Sequence, residues 1–80
     1  MVHSLKDKRN IIKSLQDQLQ NKFNLAVAEL DNNELWKQTV LGIVTIGNDR
    51  RYLESLTDKV IEMIDEYHEV EIIDYAIEYY

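Results

Sequence analysis

No cysteine occurs in the sequence, which excludes a disulfide framework, a thiolate metal site and a thiol nucleophile, and fits a reducing compartment. Nor does any apolar run approach the roughly 20 residues that cross a bilayer, and the N-terminus lacks the apolar core of a signal peptide. These absences lead us to expect a cytoplasmic protein with no membrane partner. Glycine is scarce, with only Gly42 and Gly47, and no glycine-rich phosphate loop, nucleophile elbow or Ser/His/Asp ordering is present. The expectation is a protein that is not an enzyme, with no cofactor and no small-molecule substrate.

Positive charge is scarce in the second half. Residues 40–80 carry Arg50, Arg51 and Lys59 against ten carboxylates, a net −7, whereas residues 1–39 carry six cations against five carboxylates, a net +1. Such a balance argues against gripping nucleic acid over the whole surface, because non-specific affinity is largely phosphate neutralisation. A local basic face is still compatible with it. Eighty residues make one domain, and a fold of that size buries only roughly 60–65% of its unfolded surface.

What the chain does contain is strong periodicity. From Ser4 to about Phe23, Leu5, Ile12, Leu15, Leu19 and Phe23 fall on one helical face, with Ile11 on its flank. After a polar exit over 21–24, residues 25–31 (LAVAELD) read as a strand, and 31–34 as the following turn. Residues 35–47 (LWKQTVLGIVTIG) are the most β-prone stretch, and Gly42 within it suggests a bulge or a close backbone approach. Gly47, Asn48 and Asp49 then turn the chain, and Asn48 or Asp49 can cap a second helix.

That helix presents Leu53, Leu56, Val60, Met63, Ile64 and Tyr67 on one face. Glu54, Asp58, Lys59, Glu62, Asp65 and Glu66 form a solvated face opposite. Residues 70–80 (VEIIDYAIEYY) close the chain as an expected strand with Glu71, Ile73, Tyr75, Ile77 and Tyr79 on one side. The resulting order is helix, strand, strand, helix, strand. It is one strand short of βαββαβ, the α+β ferredoxin-like two-layer sandwich.

HSLKDKR opening an amphipathic helix, then KFNLAVAELD, LWKQTVLGIVTIGND and the closing VEIIDY, together resemble the small bacterial YlxP-like family, a domain of unknown function. The resemblance covers essentially residues 2–80. It implies a ferredoxin-like fold and a cytoplasmic bacterial protein. Family genes tend to lie beside those of a translation initiation factor and a ribosome-binding factor, which implies ribosome or RNA association. Family members begin with a strand leading into the Ser-Leu-Lys motif, and here only Met1 and Val2 precede His3. In the spatial order 4-1-3-2 that strand is central. The expectation is therefore an open slot between the strands of 35–47 and 70–80, filled by a second copy through strand exchange or dimerisation, by a rearranged final strand, or by upstream residues.

The candidate site is the basic start of helix one. Ser4 and Asp7 form a Ser-x-x-acid cap, yet Lys6, Lys8 and Arg9 crowd turns where the macrodipole disfavours cations, with Lys13 one turn further on. Free amides and cations at a helix start can hold a phosphate of RNA, rRNA being one expected partner and a ribosomal protein another. Alternatively, the cations pair with carboxylates of the 31–34 turn and the 66–69 loop. Arg50 and Arg51 pose the same choice at the second helix start, which should lie at the opposite end of the sheet.

His3 and His68 are too few for zinc, and the carboxylates at 62, 65, 66 and 69 follow helical spacing on an exposed face. Trp36, Tyr75, Tyr79 and Tyr80 lie on expected strands, interleaved with Glu71, Asp74 and Glu78 and without an RNP pattern, so packing or a dimer surface is their expected use. Two functions follow as expectations. The first is an RNA- or ribosome-associated accessory protein acting through Ser4, Lys6, Lys8, Arg9, Lys13, Arg50 and Arg51. The second is a protein-interaction or self-association module using the sheet face or an open strand edge.

Overall fold

Apolar residues spaced three and four apart make helix α1, Leu5–Lys22, and the same spacing makes α2, Arg50–Asp65. Between them run β1, Ala26–Asn33, and β2, Gln38–Val44, in that chain order. The computed structural model describes the backbone of residues 5–33 and 38–80 and the side chains of residues 7–31 and 38–80. The Ser4 cap, Lys6, His3, and the expected strand residues 35–37 with Trp36 lie outside the described residues.

β1 and β2 pair antiparallel, from Ala26 opposite Val44 to Asn33 opposite Gln38. The strand therefore runs through Asp31, Asn32 and Asn33, where the sequence suggested a turn. The ladder supplies the reason: Asp31, Asn32 and Asn33 pair with Val40, Thr39 and Gln38, and the Thr39 hydroxyl lies 3.0 Å from the Asp31 carbonyl and 2.5 Å from the Glu29 carboxylate. Register slips between Glu29 and Asp31, which makes Leu30 the extra residue of a bulge. The irregularity hinted at by Gly42 thus sits on the opposite strand. Gly42 provides the close approach instead, because a Cβ there would lie 2.7 Å from Leu30 Cδ1.

Leu15 and Leu19 of α1 and Leu56 and Val60 of α2 are buried against one another, with Leu25, Leu41, Ile43, Phe23, Met63 and Tyr67 packed around them. Both helices therefore cover one face of the hairpin. The Tyr67 hydroxyl donates to Ser14 Oγ at 3.0 Å and ties the end of α2 to the middle of α1. Asp49 accepts from the Arg51 amide at 2.9 Å and caps α2, as the GND turn suggested.

The expected final strand is the main correction. Residues 71–80 form no regular secondary structure, and among the described residues the sheet has two strands. A rearranged final strand does not close the sheet. The segment has the composition of a strand but no ladder partner among the described residues, and the Tyr75 amide donates instead to the Asp74 carboxylate at 2.8 Å. The radius of gyration, 13.2 Å, exceeds the roughly 12 Å of a well-packed chain of this length, in keeping with an unfilled space.

Candidate functional site

That space is a groove of about 930 Å³. β2 and its continuation through Gly47 line one wall, residues 69–80 the other, and apolar side chains of both helices, among them Ile11, Leu15, Leu53, Val60 and Ile64, line the rest. Its length is set by the chain path. The Lys8 ammonium, near the start of α1, donates to the Gln38 carbonyl at 2.7 Å and marks one end. After α2 the chain turns through Tyr67 and Val70, whose amide donates to the Tyr67 carbonyl at 3.1 Å, and returns along α2.

At the other end of the groove Tyr79 reaches the first turns of α2. The Arg50 guanidinium lies 3.9 Å from the centre of the Tyr79 ring, and the Tyr79 hydroxyl is 3.5 Å from Thr57 Oγ1. The returning segment is therefore fastened at both ends. Ile73 and Tyr75 between the fastenings are 72% and 61% exposed, a large apolar surface to leave in water. The Tyr80 phenol donates to the Glu78 carboxylate at 2.6 Å, and that bond holds its pKa above the usual tyrosine value.

The basic start of α1 is not the uniform solvent-facing patch that its sequence suggests. Lys8 is 6% exposed, its stem packed and its charge directed at a β2 carbonyl, because an ammonium is tolerated in such a place only with a strong acceptor. Arg9 and Lys13 are exposed. Arg50 and Arg51 are exposed at the far end of β2, with Arg50 also 3.5 Å from Glu54, so the two basic groups do not converge. His68 is exposed, and Glu54, Asp58, Glu62, Asp65 and Glu66 form the solvated face that helical spacing implied. Sequence reasoning missed the Arg50–Tyr79 contact and the Tyr67–Ser14 bond, since both join residues far apart in the chain.

Two helices packed on an antiparallel hairpin, with a further segment across an apolar groove, define an α+β fold with a two-stranded sheet among the described residues. Among the described residues no helix is long and apolar enough to cross a membrane. A family model described as "Protein of unknown function (DUF503)" matches residues 1–77, and the chain belongs to that family. It is 34% identical over 68 residues to the "Uncharacterized protein YlxP" of Bacillus subtilis (strain 168), across 85% of this chain and 74% of that one. The resemblance drawn from HSLKDKR and the later motifs therefore holds. No solved structure matches.

Proposed function

We propose that this is a cytoplasmic protein-interaction module, without enzymatic activity, that accepts an extended strand in the groove between β2 and residues 70–80. One observation carries the reading: an apolar groove separates β2 from residues 70–80, and among the described residues neither wall has a ladder partner on its groove side. An inserted strand would gain backbone partners on both sides, which is the physical basis of strand addition. The filled sheet would run segment 70–80, inserted strand, β2, β1 beneath two helices, the ferredoxin-like arrangement.

Amide hydrogen exchange tests the reading. In the isolated protein residues 71–80 should exchange near the rate of an open chain while the paired amides of β1 are protected. Protection of 71–80 equal to that of β1 refutes an open groove.

Contact with RNA or the ribosome is a second reading, favoured by Arg9 and Lys13, which lie four residues apart on α1 and are both exposed. Co-sedimentation with ribosomal subunits at low and moderate salt tests it. Binding that survives reversal of Arg9 and Lys13 to Glu removes this face from consideration.

A further inference from the structure

We propose that the outward face of the β1–β2 hairpin, the side away from the helices, is a self-association surface on which a second copy of this chain packs sheet to sheet as a weak dimer. This surface is separate from the groove, and the proposal does not depend on the strand-acceptor reading.

The ladder defines the face. Leu41 and Ile43 of β2 pack on the core formed with the helices. Side chains alternate along a strand, so Val40, Gly42 and Val44 point the other way, and the pairing of Ala26 with Val44 and of Ala28 with Gly42 sets both alanines beside them. Leu30 joins the same face. A Cβ on Gly42 would meet the Leu30 side chain at 2.7 to 3.1 Å, so that side chain lies over the glycine. Leu30, Val40 and Val44 are 50–70% exposed.

An antiparallel sheet with one face in water ordinarily alternates apolar inward with polar outward residues. Here the outward positions are apolar too, with Asp31, opposite Val40, the charged residue at one end. That is the pattern of a sheet covered on both faces. A strand added at either edge lies in the plane of the sheet and leaves this face as open as before.

Area and charge point to the occupant. The face presents on the order of 400 Å² of mostly apolar surface, the size of patch that marks an interaction site. Two such faces with their rims would bury on the order of 1,000 Å², which is the low end of specific interfaces and suits a transient pair. A second copy brings the same near-absence of charge, so no ion is buried without a partner. With the strands of the two copies antiparallel about Ala28 and Gly42, the two Asp31 side chains stand roughly 20 Å apart, about two Debye lengths at physiological salt. Association along the free edge of β1 is disfavoured, because the bulge at Leu30 breaks the regular row of backbone groups there.

Sedimentation equilibrium of the full chain tests the proposal. The average mass should rise from 9.5 kDa toward twice that value as the concentration is raised. Because each copy carries a net charge of −6, added salt should tighten the association, the reverse of what an ion-paired interface shows. Leu30→Lys and Val40→Lys, both at exposed positions, should each weaken it by about tenfold or more. Ile73→Lys, on the groove side, should leave it within about twofold of the parent. Hydroxyl-radical footprinting of the unaltered chain provides a reading that does not depend on how the variants fold: Leu30 and Val40 should lose reactivity as concentration rises, and Ile73 and Tyr75 should not.

A chain that stays monomeric up to about 1 mM overturns the proposal. So does association that survives both lysine substitutions at full strength. Loss of association in Ile73→Lys, with protection falling on Ile73 and Tyr75 instead of Leu30 and Val40, overturns it and moves the contact to the groove.

Discussion

Replacing Lys8 separates a buried structural lysine from a surface one. Its ammonium lies 2.7 Å from the Gln38 carbonyl and the residue is 6% exposed, so the bond is charge-assisted and poorly reached by water. Lys8→Met keeps the packed stem and deletes the donor, which should cost about 1–3 kcal/mol. Lys8→Glu sets a carboxylate against that carbonyl in the same confined place, and should cost more than about 3 kcal/mol. Lys13→Glu makes the same charge reversal at an exposed position and should stay within about 0.5 kcal/mol. A domain of this length has a total stability of roughly 4–12 kcal/mol, so Lys8→Glu should leave a substantial unfolded population while Lys13→Glu melts like the parent. Urea titration followed by far-ultraviolet circular dichroism measures all three, with a constant slope checking two-state behaviour. Should Lys8→Glu cost no more than Lys13→Glu, the argument that Lys8 is a structural residue is wrong.

Leu19→Ala, at a fully buried position, should cost about 2–5 kcal/mol in the same titration, because Leu15, Leu56 and Val60 cannot collapse fully into the space. Asp49→Ala removes the cap of α2 and should cost about 0.5–2 kcal/mol, whereas Asp49→Ser should recover most of it. Gly42→Ala should cost under about 1 kcal/mol despite a 2.7 Å approach to Leu30 Cδ1, since Leu30 is 68% exposed and can swing into water; a thermal melt more than about 8 °C lower would show that it cannot. Arg50→Ala should leave the core intact and speed proteolysis within 71–80, which a time course resolved by mass spectrometry would detect.

Helical periodicity, which is local, determined both helices and the faces they bury: among the described residues Ile12, Leu15, Leu19, Leu56 and Val60 are the buried hydrophobics, and all lie on the stripes read from spacing. Asp49 as a cap was equally legible, because a cap is satisfied within three residues. The family was legible too, from motifs in order along the chain. Residues 70–80 show where local reasoning stops. Their alternation and β-branched content describe a strand, but a strand exists only when another lies beside it, and that neighbour is a matter of tertiary placement. Lys8 shows the same limit for the site. The cations in HSLKDKR look alike in the sequence, and the crossing of α1 past the start of β2 turned Lys8 inward, onto a carbonyl 30 residues away.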